Sequence, residues 1–366
     1  MSKARDIADS TTTLDVDGGT IKLDGNYPVG TKNVALGDTA LDAVQSGAEN
    51  NIAVGASALS SVTTGNDNTA VGNFSLASTT GSQNTGVGQQ ALRFNTSGQY
   101  NTAQGYRALF SNTTASYNTA VGYQAGYSNV AAGAQVFVGY KAGYATTTGG
   151  GSSTFVGYEA GLSNTTGGNN TALGRGSFLD NTTGSNNVGL GFDALANNTT
   201  SSNNTAVGYQ AGYSNTTGSN VTAVGRWALK ANTTGNDNTA VGLNALLSNT
   251  TGGSNIAVGQ QALNSNTTAS YNTAVGYQAL YNSTGGYSTA LGYKAGFSSV
   301  GSDDQTFIGY QSGLNTTGTD NTFVGASSGG SVTTGSKNTI LGKFNGNAGG
   351  LDIRTSSNNI VLSDGD

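Results

Sequence analysis

The sequence predicts an all-β protein, a parallel β-solenoid of about nineteen coils, and three observations carry that prediction. A glycine recurs at nineteen places from Gly37 to Gly342, preceded by an aliphatic residue at all but one, with most neighbours 17 residues apart. A fixed period of this size is the mark of stacked repeats. Around each glycine, β-branched and aliphatic residues alternate with small ones, as in Thr205-Ala206-Val207-Gly208. Alternation with β-branched enrichment is the signature of a strand. Between the strands stands Asn-Thr-Thr-Gly, as at Asn215 to Gly218 and Asn232 to Gly235. Asn and Gly tolerate the left-handed conformations that tight turns need.

The copies align on their glycine. A β-branched residue lies three before it, and Val, Leu or Ile lies one before it in every copy except that of Gln104. Side chains two apart share a face, so these two columns are expected inside the coil. Gln104 is then expected as a buried amide needing a partner. The position two after the glycine accepts Gln, Lys, Arg, Glu and Asp, and reads as a solvated face. Three after the glycine stands Ala or Ser from Ala40 to Ser328. Four after it stands Leu in many copies. Six copies carry Gly there instead, followed by a large residue such as Tyr127, Tyr213 or Phe297. These read as one apolar slot filled in two ways. The small columns imply that another backbone comes close, either the facing sheet of the same coil or another subunit.

The repeats occupy 33–345. Residues 1–32 read as an N-terminal attachment or capping segment, and 346–366 as a C-terminal segment containing one more strand, Ile360 to Leu362. Two coils break the pattern, at Asn129 to Gln135 and at Ser298 to Gln305. After each, the small residue two before the glycine becomes aromatic, giving Phe137 and Phe155, then Phe307 and Phe323. These rings either fill a wider coil or offer a binding or subunit-contact surface.

Composition excludes several classes of function. The chain has 366 residues, no Cys and no His, and a net charge of −5. Disulfides, thiolate metal sites and the usual general base are absent. No basic stripe points to nucleic acid, and no apolar stretch is long enough for a signal peptide or a membrane helix. Most acids stand singly, and Glu159 and Asp193 share a column two coils apart, too far for the carboxylate pair of a retaining glycosidase. The expectation is a non-enzymatic protein with no cofactor and no metal site. Sequons at Asn112, Asn181 and Asn249 read as turn asparagines that hydrogen-bond along a ladder. Tyrosines one after the glycine, among them Tyr123, Tyr140, Tyr158, Tyr209 and Tyr277, are candidates for glycan contact or for a self-stacking ladder.

The Asn-Thr-Ala-Val-Gly-Tyr-Gln-Ala copies resemble the repeats of bacteriophage tail fibres and are similar to the head repeats of trimeric autotransporter adhesins. The resemblance covers roughly Asn33 to Phe344. It implies a left-handed β-roll, a parallel homotrimer, attachment to a host-surface glycan or protein, and a tail or baseplate partner on a virion. The opening Ser2 to Ala8 resembles the start of phage fibre proteins. The ending Ile360 to Asp366 resembles the stretch before a self-cleaving chaperone domain, one that has been removed or lies beyond the given sequence. With no export signal and no barrel anchor, the phage reading is preferred to a bacterial surface adhesin. The expected location is therefore a virion appendage or extracellular filament, made in the cytoplasm without a signal peptide. An ice- or surface-binding solenoid competes, motivated by the threonine columns. The exchange of strand Thr with Val and Ile argues for burial and against it.

Overall fold

A computed structural model describes residues 15–16, 19–20, 32–45, 47–148 and 151–363. The expected N-terminal segment lies largely outside the described residues. Within it Asp15–Val16 pairs antiparallel with Gly19–Thr20. The rest is β-structure and turn, with no helix among the described residues. The chain divides into two units, Met1–Thr183 and Gly184–Asp366.

Each unit is a stack of coils that contribute one three-residue strand apiece. The strands run parallel and in register, so like residues lie over like. Thr102 pairs with Thr119 and Ala103 with Ala120 in the first unit. Thr205 pairs with Thr222, Ala206 with Ala223 and Val207 with Val224 in the second. The expected extra strand is present: Ile360–Leu362 pairs parallel with Thr339–Leu341. Just before it, Asn347–Ala348 and Leu351–Asp352 form a small antiparallel hairpin. The Arg354 guanidinium grips Asp352 there at 2.7 Å and holds its carboxyl down at about 2.

The strands face the opposite way from the expectation. The small residue two before the glycine points inward and is fully buried, as at Ala120, Ala206 and Ala240. The β-branched and aliphatic residues on either side point outward. Leu173 is 51% exposed and Leu291 is 49% exposed. Thr205 and Val207 are half-buried, because the rungs above and below cover their flanks. The alternation was legible, but the rule that large apolar residues go inside gave the wrong face. At most levels, Ile340 and four Phe being the exceptions, the opposite wall of the coil lies too close for Val or Leu at this position. It is formed by the Ala or Ser three after the glycine, also buried, as at Ala125 and Ala211. Both small columns therefore meet inside one chain. Gln104 accordingly is exposed, with no burial cost to meet.

Leu four after the glycine supplies the main bulk of the interior, as at Leu109, Leu229 and Leu246. This backbone position is left-handed, with φ 51° at Leu229 and 50° at Leu280. That conformation is costly for Leu and free for Gly. Coils with Gly here do not send the following large residue inward, since Tyr127 and Tyr144 remain on the surface side. Except at Gly212, which faces Leu195 and Ala206, the missing volume comes from the strand instead. Phe307 is fully buried, and a Cβ at Gly296 would lie 2.6 Å from its ring. Gly313 faces the same ring from the next coil. Phe137, Phe155 and Phe323 are likewise fully buried beside Gly126, Gly161 and Gly329. The four rings thus fill their own coils and do not lie on the surface where a second chain would meet them. Ala with Leu and Phe with Gly are two ways of packing one volume.

The repeating glycine has two reasons to be glycine. Gly208 has φ +134°, and a Cβ there would sit 2.6 Å from the carbonyl oxygen of Gly225.

Two columns of buried asparagine complete the interior. Asn232 donates its amide to Asn215 Oδ1 at 2.8 Å and to the Gly235 carbonyl at 3.0 Å. Asn249 and Asn266 repeat this from the coils that follow. The second column lies just before the strand. Asn101 Oδ1 accepts from the backbone N–H of Asn118 at 3.0 Å, and its amide donates to the Ala115 carbonyl at 2.9 Å. The sequon asparagines Asn112, Asn181 and Asn249 are fully buried members of the first column, closing turns as expected. Where Ser283 replaces Asn, the column stops and Asn266 Oδ1 has no partner.

Two predictions follow from this interior. Phe307→Ala should cost about 3–5 kcal/mol, and adding Gly296→Leu should recover part of it, whereas Gly296→Leu alone should destabilise. Thermal melts of the three variants check the exchange of volume. In the ladder, Asn232→Ala should lower the melting temperature more than Asn266→Ala. The first leaves buried partners unsatisfied on both sides, at about 1–3 kcal/mol each; the second has already lost its upper neighbour.

Candidate functional site: paired aromatic ladders

After the glycine the chain turns a corner, and three outward columns run side by side. The first, one after the glycine, carries Tyr106, Tyr123, Tyr140 and Tyr158, stacked at 5.3, 5.3 and 4.9 Å between ring centroids. Another, five after it, carries Phe110, Tyr127 and Tyr144, stacked at 5.0 and 5.1 Å. Phe94 meets Phe110 edge-on at 4.9 Å. The column two after the glycine runs between these two ladders and holds Gln90, Arg107, Gln124, Lys141 and Glu159. The Arg107 guanidinium lies 5.1 Å from both the Tyr106 and the Phe110 rings. Lys141 Nζ lies 5.4 Å from Tyr140 and 5.5 Å from Tyr144. The result is a shallow groove with aromatic walls and a polar floor.

The second unit has a shorter groove of the same form. Tyr277, Tyr293 and Tyr310 stack at 5.3 and 5.2 Å, and Tyr281 stacks on Phe297 at 5.1 Å. Lys294 lies between the two walls. Tyr209 belongs to a third cluster, stacked on Phe192 at 5.3 Å and edge-on to Trp227 at 6.3 Å. Trp227 Nε1 donates to Gln210 Oε1 at 3.1 Å.

Of the tyrosines that the sequence nominated, Tyr123, Tyr140 and Tyr158 share one ladder and Tyr277 heads another. Rings stacked at these distances cover one another's faces. A sugar that docks by stacking needs a bare face, so the inner rungs offer edges and phenol oxygens instead. The second wall was missed in the sequence, although Phe110, Tyr127 and Tyr144 recur at the repeat spacing. Tyr127 and Tyr144 were read as core because each follows a glycine. Among the described residues no group of three His, Cys, Asp or Glu is placed to hold a metal ion, and no helix is long and apolar enough to cross a membrane.

No protein-family model and no curated protein sequence matches this chain.

The ladder contributes to stability through each ring pair, at about 0.5–1.5 kcal/mol. Tyr140→Ala removes two stacks and leaves Tyr123 and Tyr158 two coils apart. It should lower the melting temperature more than Tyr271→Ala, which removes the single stack on Tyr287.

Proposed function

We propose that the chain is the shaft of a phage-type attachment fibre, a non-enzymatic structural protein that works as a parallel homotrimer. The supporting observation is the outer face of the strands. Over nineteen levels it carries no charged residue, and the column beside the glycine is aliphatic at every level except Gln104. A face that only meets water tolerates charge, as the groove floor does. An uncharged and partly apolar stripe of this regularity favours a partner with the same repeat along its length, and a second and third copy of the chain supply it. The association face is then the β-branched and aliphatic columns, in place of the small columns first expected there.

In this reading the repeats set length and stiffness, while attachment to a host-surface glycan or protein and to a tail or baseplate protein is made along the shaft and at its ends. The protein is a virion appendage or extracellular filament. A bacterial surface adhesin has the same shaft and differs in its anchor.

The outward threonines favour one second reading. The argument against an ice- or surface-binding solenoid was burial of the strand threonines, and Thr102 and Thr289 are exposed. A thermal-hysteresis measurement on the purified chain distinguishes the two.

The attachment reading is tested by mass in solution and by cell binding. The full chain should have the mass of a trimer. Val207→Lys with Val224→Lys should lower that mass while the β-sheet spectrum is kept. Labelled protein should bind saturably to some members of a panel of bacterial strains. A monomeric mass together with no binding to any strain would end this proposal.

A further inference from the structure

The first groove has an unusual charge environment. The chain is acidic overall, at −5, yet no Asp or Glu occurs between Asp67 and Glu159. The same stretch contains three bases, Arg93, Arg107 and Lys141. Arg107 and Lys141 lie on the groove floor, and Arg93 stands one coil before it, 4.8 Å from the Phe74 ring and 5.2 Å from Phe94. Arg107 donates Nε–H to Gln90 Oε1 at 2.6 Å. Among the described residues none of the three makes an ion pair. The groove thus carries a net positive charge, Arg107 and Lys141 standing against one acid, Glu159, at the end of the floor. The ring stacking adds to it, since stacked rings turn their electropositive edges outward. Tyr123 and Tyr140, at 44% and 38% exposed, also present phenol hydroxyls.

We propose that this groove binds a linear anionic polysaccharide lengthwise, its carboxylates meeting Arg107 and Lys141 and its hydroxyls meeting the tyrosine edges. The spacing fits such a chain. Arg107 and Lys141 are two coils apart, about 10 Å, close to the length of a disaccharide. The rungs between them stand one coil apart, close to one pyranose ring. Negative charge is selected by the cations, and an extended polymer by their placement along one line. A nucleic acid fits less well. Unpaired bases bind by stacking on bare aromatic faces, and the ladder covers those faces. The second groove, with Lys294 as its one cation, is a built-in comparison. The inference deepens the attachment reading and rests on it for its biological sense.

The test uses the purified full chain and a polygalacturonate oligomer as probe, followed by titration calorimetry, with dextran and single-stranded DNA as comparisons. Saturable binding of polygalacturonate is expected, weakening as salt is raised, with none for dextran. Arg107→Gln with Lys141→Gln should weaken it about tenfold, while Lys294→Gln leaves it within about twofold. Arg107→Lys with Lys141→Arg should keep most of the affinity. Tyr123→Phe with Tyr140→Phe preserves the ladder and removes two hydroxyls, so it should weaken binding without lowering the melting temperature. No binding, equal binding of dextran, or affinity untouched by both the Gln and the Phe variants overturns the proposal. Tighter binding of DNA than of polygalacturonate also overturns it. Binding to bacterial cells without binding to polygalacturonate leaves the attachment reading standing and removes only this one.

Discussion

Everything else in this structure depends on the narrowness of the coil. At most levels its two walls approach until only Ala, Ser or Gly fits between them on the strand side, as at Ala206 against Ala211, while Phe137, Phe155, Phe307 and Phe323 fit where glycine stands in place of the interior Leu. To close so tight a loop, the chain uses left-handed residues at regular places. Some are glycines, such as Gly208 at φ +134°. Others are not, such as Gln210 and Leu229, both at φ 51°. A left-handed L-residue carries a penalty of about 1–2 kcal/mol. An isolated coil has no means to offset it. Stacking does, because each coil donates and accepts backbone hydrogen bonds along its whole course, from Gly225 N–H to Val207 O at 2.8 Å and from Leu229 N–H to Ala245 O at 3.0 Å. The repeat is therefore stable as a neighbour of other repeats and not by itself.

A narrow interior has little room for hydrocarbon, and asparagine takes its place. The Asn side chain has one acceptor and one donor group, and the stack offers a partner for each at the coil spacing. Asn232 uses both, receiving from Asn249 and donating to Asn215. Most amides of the column are paired in this way, and the unpartnered oxygens fall where the column changes, at Asn266 below Ser283 and at Asn112 below the irregular turn that starts at Asn129. A polar core of this kind fixes register more strictly than an apolar one, since a slip of one residue would leave every amide unpaired.

Because the interior is settled by small residues and asparagine, the outer columns are released for other work. They have separated into distinct faces. The strand face is uncharged and partly aliphatic. The corner carries the aromatic ladders and, in the first unit, Arg93, Arg107 and Lys141. The polar turn holds acids such as Asp67, Asp237 and Asp320. Each face repeats at the coil spacing, so any partner that engages one coil is offered the same contact at the next. Tyr123 and Tyr140 gain their order from stacking, and Arg107 is held between two rings. The groove is consequently preorganised by the same stacking that stabilises the fold.

The period, the parallel stacking, the turn at Asn-Thr-Thr-Gly and the asparagine ladder were all legible in the sequence, because each is a local preference repeated until it cannot be mistaken. The final strand at Ile360 to Leu362 was legible for the same reason. What the sequence left undecided was which way the strand faces. Alternation gives two faces and no label, and Thr205 with Val207 had the better claim to the inside by hydrophobicity. Only the tertiary structure supplied the width of the coil, and that width admits Ala206 and rejects Val207. It likewise decided that Phe137 and Phe307 go inward beside glycines while Tyr127 and Tyr144 go outward, and so brought the two aromatic ladders together with a cation between them. The sequence determined the repeat, since backbone spacing and turn chemistry are local. The structure decided inside from outside, since that depends on how far apart two non-adjacent walls come to rest.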